Sequence, residues 1–372
     1  MIGIGKWSGS GLLFAAATLG AFMPAAGRDV DAPAAASGAC TAVAGQCTEW
    51  VRIGTGKARA LVYRTYPLAA KNTKIRRALI MIHGTNRNPD HYFATATGAA
   101  FLAGAVDDTI VIAPAIRSHD GRCQDKLEAD EVSWSCGGDS WRSGGQAASN
   151  PELSSFDFID EILKLLADKN RFPNLQEIVV AGHSAGGQFV SRYAMANRVH
   201  DKLGVAVSYV VANPSSYAWP DATRPLPTGD GAPDEAVGGW DSEEVHGQFS
   251  YGAFTATSAP SYDKWPYGLE DRTKGYTVGI SDEQLKKQLA SRPITYLLGQ
   301  VDTLPLGGFD HSPAAMAQGA TRRARGEAFV KYVNDHLGAH SAALIVPECG
   351  HNDRCIYTTD SVFPYIFPGS TR

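Results

Sequence analysis

The sequence lacks the spacings that would make a metal site. It contains no Cys-x-x-Cys and no His-Glu-x-x-His, so its six cysteines and ten histidines do not read as ligand sets. It also lacks an excess of either charge. Lys and Arg number 34 against 38 Asp and Glu, a formal net charge of -4, which gives no electrostatic reason to expect nucleic acid. Short basic clusters such as Arg322-Arg323-Ala324-Arg325 read as a solvated helix face. No internal repeat is visible. Charged residues are only 19% and hydrophobic ones 44%, a balance that excludes global disorder and suits a folded domain.

At the N-terminus no run is long enough for a confident membrane span. Leu12 to Met23 is apolar but short and rich in small residues. With Lys6 before it and Ala25, Ala26 and Gly27 after it, the segment reads as a signal peptide. The expected arrangement is a leader and flexible stretch over residues 1–36, then one domain over 37–372. That implies a secreted or periplasmic protein without stable membrane insertion. A lipid anchor on Cys40 is a poor fit, because Ser37-Gly38-Ala39 does not resemble a lipobox. The cysteines fall into close pairs, Cys40 and Cys47, Cys123 and Cys136, Cys349 and Cys355. Six cysteines allow about 15 connectivities. Pairing within each close set is the simplest, and it fits an oxidising compartment.

Buried strands alternate with amphipathic helices along the chain. Arg77 to His83, Thr109 to Pro114, Gln176 to Ala181, Gly204 to Ala212, Ile294 to Leu298 and Ala342 to Val346 are short apolar runs. Such runs suit strands covered on both faces. Helices are expected near Phe93 to Ala105, from Ser154 and Asp157 onward, Ala185 to Arg198 and Pro313 to Leu337. The pattern predicts an α/β fold with a largely parallel, doubly wound sheet. A Gly-, Ser- and Cys-rich excursion spans 115–151. A longer irregular stretch, about 213–292, reads as a cap-like insertion after the sixth strand.

The chemistry gathers at strand ends, where ligands bind in such sheets. Gly182-His183-Ser184-Ala185-Gly186 links a buried strand to a helix. A serine on so sharp a turn has its hydroxyl exposed, and glycines on both sides relieve crowding. A hydroxyl needs a base, and the base needs a carboxylate to orient it. His351 follows the last strand on a short loop after Gly350 and is the expected base. Asp302, just past a buried strand, is the expected acid. Asp310 is the rival, and Asp353 is too close to His351 in sequence to orient its ring. The backbone N–H of Ala185 and that of Thr85 or Asn86, in the loop after His83-Gly84, are the expected donors for an oxyanion.

Taken together, His83-Gly84, the elbow around Ser184, Asp302 and His351 resemble the α/β-hydrolase superfamily, over about residues 50 to 368. The order Ser, acid, His is that of this fold. The resemblance implies a serine triad, an acyl-enzyme intermediate and no cofactor. Trp141-Arg142-Ser143-Gly144-Gly145 and Asn213-Pro214-Ser215-Ser216-Tyr217 resemble a subgroup of exported microbial hydrolases. His83, His183, Trp141 and Tyr217 are candidate pocket residues. Trp219, Trp240, Phe249, Tyr251, Phe254, Trp265 and Tyr267 either line a pocket or form a mini-core under the insertion. The expected activity is hydrolysis of a small or polymeric carboxylic ester. A peptidase or amidase on the same triad, and a binding module without chemistry, use the same features.

Overall fold

The computed structural model describes residues 38–137, 140–227, 249–254 and 259–370. The proposed leader and Trp240 lie outside them. Eight strands form the main sheet: β1 (Thr48–Arg52), β2 (Arg59–Arg64), β3 (Arg77–Ile82), β4 (Thr109–Pro114), β5 (Glu177–His183), β6 (Ala206–Ala212), β9 (Ile294–Gly299) and β10 (Ala342–Val346). They lie in the order β1-β2-β4-β3-β5-β6-β9-β10. From β4 to β10 the neighbours run parallel, and the β1–β2 pair is antiparallel at one edge.

Period-two geometry explains why the parallel strands read as unbroken apolar runs. On β3, Ala78, Ile80 and Ile82 enter the core on one face, and Leu79 and Met81 enter the core on the other. Ile110 and Ile112 alternate with Val111 and Ala113 on β4, and Ile178 and Val180 with Val179 and Ala181 on β5. Each fully covered Leu or Ile contributes about 2 kcal/mol, as an upper figure.

Helices α1 (Pro89–Leu102), α2 (Ser155–Ala167), α3 (Ala185–Ala196), α4 (Asp282–Ser291), α5 (Pro313–Met316) and α6 (Arg322–Leu337) are placed by local signals. Pro89 takes the first turn of α1, which starts the helix four residues earlier than its apolar pattern does. Ser154 and Asp157 form a reciprocal capping box on α2, worth about 1 kcal/mol. The single helix expected over Pro313 to Leu337 is instead two. Gly319 has φ +140, which α-helix cannot accommodate, and Thr321 starts afresh by accepting from the Ala324 N–H.

The arginine cluster at the start of α6 is a second correction. Arg322 and Arg325 are fully buried and Arg323 nearly so. Their guanidiniums are occupied: Arg322 by Asp302, Ser215 and the Leu306 and Gly307 carbonyls, Arg323 by the Gln300 carbonyl and Glu327, and Arg325 by the Gly319 and Ser215 carbonyls. Paired and hydrogen-bonded charge can be buried where free charge cannot. A charge pattern along a helix does not reveal those partners.

In the insertion, β7 (Thr223–Pro227) and β8 (Phe249–Ala253) form a separate antiparallel pair. Its aromatics make a mini-core. Trp219 is buried against Tyr251, Phe329 and Tyr332. Trp265 donates its indole N–H to the Ser143 carbonyl, and Tyr267 donates to Asp310. Among the described helices none is long and apolar enough to cross a membrane.

Candidate active site

The chain reverses direction between β3 and β5. From β3 it steps to β4 on one side, then returns to β5 on the other. The loops leaving β3 and β5 diverge there and open a crevice at their carboxyl ends. Gly84 and Ser184 are on those two loops and line one cleft of about 730 Å³.

Ser184 has φ 59 and ψ -120 between β5 and α3, a conformation that serine adopts only where its surroundings impose it. The cause is crowding. A side chain at Gly186 would overlap the Ile82 carbonyl, and one at Gly182 would overlap the Gly186 carbonyl. The strand and helix therefore touch backbone to backbone, and the tight turn projects Ser184 into the cleft. The Ser184 N–H is tied to the Ala212 carbonyl on β6 at 3.0 Å.

Ser184 Oγ lies 2.9 Å from His351 Nε2. His351 Nδ1 lies 2.8 Å from Asp302 Oδ2, so that nitrogen donates to the carboxylate and Nε2 is left to accept. The three side chains come from loops after β5, β9 and β10. Asp310, the rival acid, is engaged by Tyr267 and by the Ser312 N–H. Asp353 accepts from His91 and Thr95.

Three structural devices hold this row, and composition indicated none of them. Arg322 is fully buried and reaches Asp302 Oδ1 at 3.3 Å. Burial depresses its pKa, and the Asp302 charge pushes back. The same guanidinium donates to the Gly307 carbonyl, and a side chain at Gly307 would collide with the His351 ring. Asn213 is the second device. With φ 44, a conformation asparagine tolerates, its side chain accepts from the Gly299 N–H at 2.8 Å and donates to the Gly350 carbonyl at 3.2 Å. It joins the corners that carry Asp302 and His351. The third is Gln188 with Arg192. Gln188 accepts from Arg142 and donates to Ser216, while Arg192 donates to the Arg142 carbonyl and to Ser216. The two segments singled out in the sequence, around Trp141 and Asn213, thus meet beneath the elbow.

The candidate pocket residues divide. His183 lines the cleft and its ring stands 4.6 Å from that of His351. Thr85 and Asn86 also line it, on a turn closed by the Arg87 N–H to the Gly84 carbonyl at 3.1 Å. Ala185 opens α3, where first-turn N–H groups have no partner within the helix. His83, Trp141 and Tyr217 do not line the cleft. Trp141 packs on His83 and Phe189, and Tyr217 stacks on Phe329 at 4.5 Å. All three are buried in the interior.

His83 accepts from the Ile116 N–H and so must donate from Nδ1 to the Gly84 carbonyl. It is uncharged in the fold, with its pKa brought down to about 4 by burial. Burial holds His183 well below the usual imidazole range too, and repulsion between it and the neighbouring His351 ring, were both protonated, and from Arg322 adds to this. Both groups therefore contribute stability above pH 6.5 that is lost as pH falls toward 4. From His83 the loss should reach roughly 2 kcal/mol by pH 5. Asp160 opposes it, since burial raises that carboxyl to about 6 and its ionisation becomes less costly to avoid as pH falls. Urea denaturation at pH 7.5 and pH 5 should give a lower midpoint at pH 5. An unchanged midpoint would count against the neutral imidazoles.

The cysteines are joined as Cys40–Cys47, Cys123–Cys136 and Cys349–Cys355. The last bond closes a loop around His351. Replacing both Cys349 and Cys355 with alanine should cost about 2 kcal/mol by the loop-entropy relation, together with a several-fold loss of kcat from a looser His351. Thermal denaturation and steady-state rates would check this; if neither changes, the bond does not restrain the loop.

Residues 79–361 match a family described as the alpha/beta hydrolase family. The chain belongs to the alpha/beta hydrolase family. Two solved members of the fold resemble it closely enough to compare. A poly(aspartic acid) hydrolase from Sphingomonas sp. KT-1 is 23% identical, with a TM-score of 0.55 over 83% of this chain and 95% of its own. A poly(3-hydroxybutyrate) depolymerase from Bordetella parapertussis is 18% identical, with a TM-score of 0.55 over 85% and 89%. At these identities the hydrolase likeness is one of fold. No curated protein matches the sequence.

Proposed function

We propose that this alpha/beta hydrolase is an exported serine hydrolase that cleaves carboxylic esters. The observation that carries the reading is the unbroken row from Ser184 Oγ through His351 to Asp302, at 2.9 and 2.8 Å. His351 Nε2 takes the proton as Ser184 Oγ bonds to the ester carbonyl carbon. The oxygen that gains charge is met by the Ala185 N–H and by that of Thr85 or Asn86. As the C–O bond breaks, His351 returns the proton to the departing alkoxide. Water then loses a proton to His351 and attacks the acyl carbon; as the Ser184 Oγ–acyl bond breaks, His351 returns that proton to Oγ and the acid leaves. Asp302 holds the imidazole in the tautomer that both halves need. An ester is favoured because an alkoxide leaves more readily than an amine. Three disulfides support export to an oxidising compartment. In this reading residues 1–36 are the leader, and 213–292 form a cap-like insertion in a domain spanning 37–372.

Among the described residues the cleft lining has one phenol, Tyr92, and no aliphatic side chain. Short acyl chains therefore suit it better than lipids. The test is labelling by a fluorophosphonate, with turnover of p-nitrophenyl esters from acetyl to palmitoyl compared with p-nitroanilides. Labelling with turnover highest on short esters supports the reading. Turnover of anilides alone would make the chain an amidase. Absence of both labelling and turnover would make it a binding module.

A further inference from the structure

We infer that the substrate carries a carboxylate, and that Arg87 and Arg122 bind it beside the reacting ester. This rests on the hydrolase reading above and names its substrate class. Both arginines line the cleft that holds Ser184. Arg87 directly follows the Thr85-Asn86 turn and has φ 52, left-handed backbone that a long side chain adopts only when its surroundings fix it. Its guanidinium lies 5.5 Å over the Trp141 ring. It donates to the carbonyls of Ile116, Trp134 and Ser135. A guanidinium has about five N–H donors, so two remain without an acceptor among the described residues.

None of the Arg87 partners is a carboxylate. Asp125 and Asp120, in the loop packed over it, act on Arg87 by charge without touching it, and each accepts hydrogen bonds within its own loop. Asp120 accepts from the Cys136 N–H and the Ser118 hydroxyl, and Asp125 from the Ser118 N–H. Arg87 is thus partly desolvated, with its pKa brought down to about 10 chiefly by burial and against the pull of Asp125 and Asp120, and among the described residues it has no ion-pair partner in contact. Arg122 is exposed at the rim and makes no hydrogen bond or ion pair among the described residues. It adjoins Cys123, whose bond to Cys136 anchors that rim. The one carboxylate in the lining among the described residues, Asp353, is taken by His91 and Thr95. Among the described residues the cleft therefore presents two cations, both with free donors, and no carboxylate in its lining that lacks a partner. A planar carboxylate fits such a fork, and a neutral acyl chain gains nothing from it.

The test uses matched ester pairs. One is p-nitrophenyl hexanoate against the mono-p-nitrophenyl ester of adipic acid, which has equal acyl length and a terminal carboxylate. The other is phenyl hexanoate against the hexanoate ester of 4-hydroxybenzoic acid, with the charge on the leaving alcohol. In at least one pair the charged member should have the higher kcat/KM, by about tenfold. Arg122→Gln should lower that ratio several-fold, and Arg122→Glu should lower it further. Arg87→Gln should do the same, and if it fails to fold the two Arg122 variants carry the test. Equal or poorer turnover of the charged ester in both pairs overturns the inference while leaving the hydrolase reading intact. So does a ratio unaltered in the folded variants. If the wild type turns over no ester of either kind, the reading beneath it falls and the inference falls with it.

Discussion

Replacing Ser184 with alanine is expected to lower kcat on p-nitrophenyl acetate by about 10⁶-fold. The expectation follows from position. Ser184 Oγ is within hydrogen-bond reach of His351 Nε2 and projects from a strained elbow, so under the proposed mechanism its removal deletes the attacking atom. Neither the fold nor the cleft should change, because the turn is enforced by backbone contacts at Gly182 and Gly186. Circular dichroism and the melting temperature of Ser184→Ala should match the wild type. The residual rate should remain above that in water, since the cleft still holds the ester and offers oxyanion donors. His351→Ala should cost nearly as much, and the double variant little more, because the two residues act as a unit. A Ser184→Ala protein that keeps a tenth of its activity would place the chemistry elsewhere.

The second large effect concerns the acid and the arginine behind it. Asp302→Asn should lower kcat by about 10⁴-fold with little change in KM. An amide nitrogen facing His351 would donate where the carboxylate accepts, and the ring would be pushed into the tautomer that cannot take the serine proton. Arg322→Met should act differently. It strands the buried Asp302 charge, and breaking such a pair costs about 3–5 kcal/mol of stability. It also releases the Gly307 carbonyl from the strand-end loop that lies against His351, so kcat should fall as well. Arg322→Lys should restore part of the stability but not the several bonds of the fork. The double variant Asp302→Asn, Arg322→Met should be more stable than the sum of the two losses predicts, because the cation and anion strand each other. Urea denaturation and steady-state kinetics on all four proteins would check this. Additive losses would mean that the two side chains are not coupled.

The glycine elbow was readable because its geometry leaves few residue types that fit. His351 and Asp302 were readable because each follows a short buried run, where the strand ends of a parallel sheet collect polar residues. Arg322 was not. In the sequence it stands in a basic cluster on one face of an expected helix over Pro313 to Leu337, and such clusters usually face water. Only the fold brings Asp302, Ser215 and the Gly307 carbonyl around it. Asn213 was flagged as part of a segment, but its bond to the Gly299 N–H crosses between separate strand ends, and such a pairing has no signature in linear spacing. His83, Trp141 and Tyr217 were misplaced for the opposite reason. Polar or aromatic residues in site-forming loops look like pocket residues, yet burial beneath the loop and its exposure above it give the same sequence signal.

The sequence by itself determined the α/β architecture, the elbow with Ser184 and the residues that meet it, because alternating burial and tight turns are local demands on residue type. The tertiary structure alone decided which charges are buried, which aromatics fill the interior and which side chains are left facing the cleft. Those outcomes depend on partners that are distant along the chain, such as Arg322 with Asp302 and Arg87 with the carbonyls of the loop above it. Desolvation makes the partner, not the residue type, the deciding term.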